Sequence, residues 1–279
     1  MALAPEFALA WAELGRAYAN EANWGWAPAA DGYRRAREAV ARALALEPDL
    51  AEGHAGMGWI QLTHDWDWRS AEASYRRALE LAPGNSLALH QASLLAACMG
   101  RLEEAIGLAR RALEQDPLSA TAYFFLGTIL WSADRLDDAV VAFRKALELA
   151  PQRTVTRSNL AIILVALGHA EEALAEARRE PEEWGRLFAQ AIIHSAAGRG
   201  EESDDSLRNL AGKYANEAAY QIAEVYAACG EVNLAFEWLE RACAQRDPGV
   251  AWAKIDPLLR SLQADPRWSL FLRKIRLAD

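Results

Sequence analysis

Apolar residues recur through most of the chain at intervals of three and four, the spacing of one face of an α-helix. Residues 120–151 show the pattern clearly, with Asp134 between two such faces and Pro151 after the second. Asp134 predicts a tight turn, and Pro151 ends the second helix because proline lacks an N–H and clashes with the preceding turn. Small Gly127 and Ala139 against large Phe143 predict a close helix crossing. Strand-like alternation is absent, so the predicted fold class is all-α.

The closing proline recurs at a fixed interval. Pro48, Pro83, Pro117 and Pro151 follow one another at 34 or 35 residues. Such a period is typical of stacked helical repeats, in which neither helix of a unit buries its apolar face alone.

The repeating unit resembles the tetratricopeptide repeat. The template of that repeat has Trp, Leu, Gly and Tyr on the first helix and Ala, Phe, Ala and Pro on the second. Trp11, Leu14, Gly15 and Tyr18 reproduce the first-helix pattern in full. The resemblance implies a right-handed α-solenoid (superhelix) of about seven helix-turn-helix repeats, residues 1–249, with capping helices in residues 250–279. The predicted repeats are 8–50, 51–85, 86–119, 120–153, 154–182, 183–215 and 216–249.

The first repeat carries a nine-residue insertion between Tyr18 and Ala36. We expect its Trp24 and Trp26 to pack on the next repeat, because exposed aromatic pairs are a liability. The residues Leu3–Pro5 resemble the end of a preceding repeat, so we expect the chain to be a fragment.

The turn of the second repeat, residues 64–68, reads His-Asp-Trp-Asp-Trp and is one residue longer than the other turns. Asp67 is placed to cap the following helix, and Trp66 and Trp68 are expected to wedge between helices. Catalysis by His64, Asp65 and Asp67 is disfavoured because adjacent residues cannot all converge on one point.

Later parts of the chain depart further from the pattern. Pro181 ends a second helix early and predicts a kink or change of pitch. After residue 249 we expect short helices at 250–255 and 257–263 and a last one beginning with Pro266. A terminal cap must cover the core face of the last repeat, and the predicted covering residues are Trp252, Leu259, Trp268, Leu270, Phe271 and Ile275.

A narrower resemblance follows from the insertion, the turn at 64–68, Asp116-Pro117-Leu118-Ser119 and the Asp-Pro runs at 256–259 and 265–268. Together they resemble the C-terminal repeat region of large bacterial signalling proteins. There the repeats follow a winged-helix DNA-binding, serine/threonine kinase or adenylate-cyclase domain. The resemblance implies a sensory or partner-binding module and not an enzyme.

Composition narrows the functional classes. A net charge of −9 argues against nucleic-acid binding. Cys98, Cys229 and Cys243 lack paired spacing, so neither a disulfide framework nor a zinc site is expected. We therefore expect reduced thiols and a cytoplasmic location. Neither a membrane-length apolar run nor a signal peptide is recognisable. We expect no metal or other cofactor and no membrane partner.

The predicted binding surface is the concave side of the superhelix, formed by first helices. Its apolar middle has Trp59, Phe124 and Trp131 as anchors, and aromatic anchors are typical of protein interfaces. Two alternatives are burial of these residues against neighbouring helices and occupation of the groove by a chain segment preceding the repeats. The predicted groove residues are Arg16, Asn20, Trp59, Leu62, His90, Leu94, Phe124, Thr128, Trp131, Ile162, Val165, Phe188, Ile192, Tyr220 and Glu224.

We predict a module that binds an extended or helical apolar segment of a protein partner in this groove. The alternatives are self-association, as a weak homodimer, and sensing of an apolar small molecule near Trp59, Phe124 and Trp131. No nucleophile–base pair or phosphate loop favours an enzyme. A clamp for a chaperone's C-terminal carboxylate is rejected, because the equivalent face lacks lysine and the anion would stay unpaired. That face carries Leu9, Glu52, Leu87, Thr121 and Val155.

Overall fold

A computed structural model describes residues 6–23 and 28–277. Within these ranges all regular structure is helical, so the predicted all-α class is confirmed. The chain divides into two compact units, Met1–Pro117 (unit 1) and Leu118–Asp279 (unit 2).

Unit 1 consists of helix pairs, and the two helices of each pair pack on one another. Small residues on the facing sides, such as Ala36, Ala55 and Ala78, are fully buried and let the helices approach closely. The helices are α1 (Ala8–Asn23), α2 (Ala29–Leu46), α3 (Ala51–Ile60), α4 (Trp68–Leu81), α5 (Ser86–Cys98) and α6 (Leu102–Gln115).

Unit 2 continues with the same kind of pair and ends in shorter helical turns. The 3-10 turns Pro248–Ile255 and Pro257–Leu262 form what we call the C-terminal segment (residues 248–262). The helices are α7 (Ala120–Ser132), α8 (Leu136–Leu149), α9 (Thr156–Ala166), α10 (Ala170–Arg178), α11 (Glu183–Ala196), α12 (Gly200–Tyr214), α13 (Ala219–Ala228), α14 (Val232–Gln245) and α15 (Pro266–Lys274).

A residue with positive φ links the two helices of most pairs. Glycine takes this position after α5, α9, α11 and α13, with φ between 70° and 86°. The left-handed conformation favours glycine at a helix C-terminus because it has no Cβ. Asp134 takes the same position after α7 with φ 58°, which confirms the tight turn predicted there.

The longer turn of the second repeat contains a π-helical stretch, Gln61–Asp65, which accommodates an extra residue. Asp67 caps α4 by accepting a hydrogen bond from the Ser70 backbone N–H at 3.1 Å, as predicted. His64 stacks on Tyr33 with ring centroids 4.4 Å apart. Asp65 pairs with Arg37 of α2 at 2.6 Å. The polar residues of this turn therefore have separate structural partners.

The first-repeat insertion is accompanied by long helices: α1 has 16 residues and α2 has 18. The predicted packing of Trp24 and Trp26 and the repeat-like residues Leu3–Pro5 lie outside the described residues.

The helix before Pro181 ends early, as predicted. Helix α10 has only nine residues and stops at Arg178, so Pro181 follows the helix and does not kink it. Buried Glu180 accepts a hydrogen bond from the backbone N–H of Val155 at 3.0 Å. This bond joins the segment that follows α10 to the start of α9.

The C-terminal helical turns lie where the sequence predicted them, but two of the expected covering residues do not cover the last repeat. Leu270 is 58% exposed. Trp252 instead stacks on Phe125 of α7. Leu259, Trp268, Phe271 and Ile275 are buried, as predicted.

Candidate functional site

Unit 2 contains a cavity of about 210 Å³, which we call the α7–α13 cavity. Its walls come from the first helices of four successive pairs, α7, α9, α11 and α13, and from the C-terminal segment. Its lining residues are Phe124, Phe125, Thr128, Trp131, Ser132, Val155, Asn159, Phe188, Tyr220, Gln221, Glu224, Pro248, Gly249, Trp252, Ile255, Asp256 and Pro257.

Aromatic rings form much of the lining. On α7, Phe124 and Phe125 lie edge to face with centroids 5.0 Å apart. Trp252 of the C-terminal segment stacks on Phe125 at 5.7 Å, with the ring planes 11° apart. Trp131, Phe188 and Tyr220 complete this set and are themselves buried. The cavity therefore offers rings on which an apolar or cationic group can pack.

Two buried carboxyl groups lie among the lining residues. Asp256 accepts hydrogen bonds from the Tyr220 hydroxyl at 2.6 Å and from the Leu258 backbone N–H at 2.8 Å. The carboxyl group of Glu224 is hydrogen-bonded to that of Asp256. Burial, reinforced by the Asp256 carboxylate, raises the pKa of Glu224 well above its usual value. The Glu224–Asp256 pair therefore favours sharing a proton, because two adjacent buried carboxylates repel each other.

Local sequence explains how the C-terminal segment reaches this position. Asp247 accepts hydrogen bonds from the Gly249 N–H at 2.9 Å and from the Tyr220 N–H at 3.1 Å. It thereby caps the first 3-10 turn and joins it to α13. A Cβ on Gly249 would lie 2.5 Å from the Tyr220 ring, so glycine is required for the segment to lie so closely on that ring.

Arg260 holds the other end of the C-terminal segment against α7. Its guanidinium donates to the Asp134 carboxylate at 2.6 Å and to the Ser132 carbonyl at 3.1 Å. The segment therefore contacts the first helix of unit 2 as well as the last pair. A segment preceding the repeats was one expected occupant of the groove. In unit 2 the segment that lies there follows the repeats.

Six of the predicted groove residues line the α7–α13 cavity, and the other nine do not. The six are Phe124, Thr128, Trp131, Phe188, Tyr220 and Glu224. In the same unit, Ile162 and Ile192 are core residues with 3% and 5% exposure, and Val165 is half-buried.

The remaining predicted residues belong to unit 1. Leu62 and Leu94 are buried there, each 3% exposed, and so present little surface to a partner. Asn20, Trp59 and His90 are half-buried, and Arg16 is exposed and pairs with Glu13 of the same helix. Some of the predicted groove residues are therefore buried in each of the two units. This agrees with the alternative that they pack against neighbouring helices.

Sequence reasoning missed Phe125, Trp252 and the pairing of Glu224 with Asp256. The repeat pattern cannot locate residues 248–257, because they lie beyond the last period. One usable signal was present: Asp247-Pro248 and Asp256-Pro257 each place a capping carboxylate before a proline at the start of a helical turn.

The described residues contain no cluster of three or more His, Cys, Asp or Glu side chains that could hold a metal ion. Across residues 6–23 and 28–277, every helix is too short or too polar to cross a lipid bilayer.

Two family models described as tetratricopeptide repeat match residues 91–154 and 130–183. Residues 91–183 therefore contain tetratricopeptide repeats. The matched residues include α7–α10 and, with them, Phe124, Trp131 and Asn159 of the cavity wall. No curated protein sequence matches the chain.

Solved tetratricopeptide-repeat structures have the same fold. The chain is similar to a tetratricopeptide repeat protein from Parabacteroides merdae ATCC 43184, with 17% identity, a TM-score of 0.61 and coverage of 95% of this chain and 98% of that one. It is also similar to pilF of Pseudomonas aeruginosa, with 20% identity, a TM-score of 0.60 and coverage of 77% and 96%. A third similar structure is YrrB, described as a TPR protein with an unusual peptide-binding site. It has 18% identity, a TM-score of 0.50 and coverage of 72% and 97%.

Proposed function

We propose that this chain is a protein–protein interaction module that binds a peptide or protein segment at the α7–α13 cavity. We further propose that it is the regulatory or sensory part of a larger bacterial signalling protein of the cytoplasm. Tetratricopeptide repeats generally mediate contacts between proteins, which supports the first statement. The second rests on the combination of the turn at 64–68 with the Asp-Pro runs.

The observation that carries the proposal is an aromatic cavity built by four successive first helices. A repeat surface of this kind recognises an extended segment, and a central pocket receives an anchoring side chain. The volume of about 210 Å³ is below the roughly 300–1,000 Å³ of pockets that hold drug-sized ligands. It suits one inserted side chain better than a whole small-molecule effector.

The test is capture of partners from a lysate of the source organism by immobilised protein, with mass spectrometry of the bound fraction. The variant Phe124→Ala/Trp131→Ala should lose the partner because it removes two rings of the cavity. The matched control Leu118→Ala/Val141→Ala removes two apolar side chains that are 74% and 67% exposed and lie outside the cavity. It should capture the partner as the wild type does.

Because Trp131 is buried, a third variant separates binding from folding. Thr128→Met places a longer side chain at a half-buried position of the lining without removing a ring. It should keep the helical circular dichroism of the wild type and lose the partner. Equal capture by all variants would refute the assignment to this cavity. Loss of partner in the control as well would favour self-association through another surface, which size-exclusion chromatography measures directly.

A further inference from the structure

We propose that the side chain received by the α7–α13 cavity is a carboxamide, as in a glutamine or asparagine residue of the bound segment. The inference rests on the proposed function, because it names the side chain that anchors the partner. It is carried by the unpaired polar groups of the lining, by the charge of the lining and by the volume of the cavity.

The central observation is the side chain of Asn159 on α9. This residue lines the cavity and is only 9% exposed. Its side-chain amide has no hydrogen-bond partner among residues 6–23 and 28–277. Buried polar groups are nearly always paired, and a carboxamide offers both N–H donors and a carbonyl acceptor. An unpaired amide in a cavity wall therefore points to a ligand that supplies an acceptor and a donor together.

Other lining groups leave hydrogen-bonding capacity of the same two kinds. Trp131 is 8% exposed, and its indole N–H has no acceptor in the described part of the chain. The hydroxyl hydrogens, by contrast, are already used: Thr128 donates to the Phe124 carbonyl at 3.2 Å, and Ser132 donates to the Thr128 carbonyl at 3.1 Å. The lining therefore presents N–H donors to a ligand oxygen and hydroxyl oxygens to a ligand N–H.

The charge of the lining argues against an anionic ligand. The charged groups of the lining, Glu224 and Asp256, are acidic, and the described lining includes no lysine, arginine or histidine. Arg153 lies 4.6 Å from the Phe124 ring centroid but is not a lining residue. A carboxylate would enter without a countercharge in the lining and would have no hydrogen to donate. A carboxamide has the same shape, is neutral and donates, so it fits the unpaired groups better.

The size and the apolar walls suit a short stem that ends in such a group. A dry cavity of about 150 Å³ holds a benzene molecule, so about 210 Å³ accommodates a side chain of the size of glutamine. The rings of Phe125 and Trp252 offer apolar surface to its methylene groups.

The experiment is a titration of the whole chain with butanamide, which reproduces the glutamine side chain, followed by ligand-observed NMR. Two probes of the same shape are compared with it: 2-pentanone lacks the amide N–H group, and butanoate replaces the amide by a carboxylate. The wild type should bind butanamide saturably and each of the other two about tenfold more weakly, since a buried group left unpaired costs about that factor.

A variant pair assigns the effect to Asn159. Asn159→Leu removes the amide at nearly constant size and should weaken butanamide binding about tenfold, to the level of 2-pentanone. The matched control Asn209→Leu, at an exposed position of α12, should leave the binding unchanged. Thermal unfolding by circular dichroism shows whether each variant is folded. The comparison of the three probes on the wild type decides the question even if Asn159→Leu does not fold.

A second arm distinguishes a peptide side chain from other sources of an amide. Peptides of the form Gly-Gly-X-Gly-Gly, capped by acetyl and dimethylamide groups, carry glutamine, glutamate or methionine at X. Tighter binding of the glutamine peptide than of the other peptides and of butanamide supports the side chain of a bound segment. Equal binding of the three peptides would assign recognition to the main chain and overturn the inference. Tighter binding of free butanamide would assign a small amide and overturn the peptide assignment.

Equal binding of butanamide and 2-pentanone, or binding of butanoate as tight as that of butanamide, would also overturn the inference. The second result would favour an acidic ligand that reaches Arg153. The two proposals fail separately. Lysate capture that depends on the cavity without preference for the amide refutes this inference alone, whereas amide binding without any captured partner refutes the proposed function alone.

Discussion

Gly58→Ala tests how closely α3 and α4 cross. Gly58 lies in α3, and a Cβ at this position would lie 2.7, 2.9 and 2.9 Å from three ring atoms of Tyr75. Tyr75 is 2% exposed and belongs to α4, so its ring has little free space into which to move. The substitution should destabilise unit 1 although alanine is the better helix former.

The magnitude follows from two opposing effects. Replacing glycine by alanine inside a helix stabilises by about 0.5–1 kcal/mol. Overpacking a close-packed core costs about 1–3 kcal/mol. Gly107→Ala is the matched control, because Gly107 lies in the interior of α6 and an added Cβ would meet nothing within 4 Å. The helix term cancels between the two variants, so their free energies of unfolding should differ by about 1–3 kcal/mol.

The assay is urea denaturation followed by far-UV circular dichroism, with both variants measured beside the wild type. Gly107→Ala should raise the midpoint and Gly58→Ala should lower it. If Gly58→Ala is as stable as Gly107→Ala, the α3–α4 crossing is looser than described and the argument is refuted.

Three further predictions concern buried polar groups and the C-terminal segment. The Tyr75 hydroxyl is buried without a hydrogen-bond partner among the described residues, so Tyr75→Phe should raise the free energy of unfolding by about 1 kcal/mol in the same denaturation assay; a loss would show that the hydroxyl has a partner. Because the pKa of Glu224 is raised well above 4.5 in the folded chain, the folded state keeps a proton that the unfolded state loses as the pH rises from about 4.5 towards the raised pKa. The free energy of unfolding should fall over that range, and Glu224→Gln should reduce the slope of a stability–pH profile; an unchanged slope would contradict the pKa shift. Arg260 and Asp134 have side chains that are 42% and 68% exposed, so Arg260→Gln should cost less than about 1 kcal/mol by thermal unfolding; a larger loss would mean that the Ser132 contact dominates.

The helical pairs could be predicted from the sequence because each depends on local signals. Spacing of apolar residues fixes the helix faces, and the turn at Asp134 and the cap at Asp67 are determined by residues close in sequence. The sequence predicts the π-helical turn only as an extra residue, because a longer turn does not by itself specify the i→i+5 hydrogen-bond pattern.

The cavity could be predicted only in part. First helices share a surface in any stack of such repeats, and this placed Phe124, Trp131 and Glu224 on one side. The partner of Glu224 could not be derived, because Asp256 lies beyond the last repeat and the path of the chain after Gln245 follows no period. Helical spacing also does not determine how exposed a groove residue is. Ile162 and Ile192 have the spacing of groove residues, but both are buried.

The contacts of the C-terminal segment with α7 bear on how unit 2 folds. A linear array held together only by adjacent repeats can fray from its end, one pair at a time. Here Arg260 reaches Asp134 across 126 positions of sequence, and Trp252 reaches Phe125. Closing so long a loop slows the search for the native state. The same closure links the ends of unit 2, so its loss should follow a single cooperative transition and not stepwise melting from α15 inward.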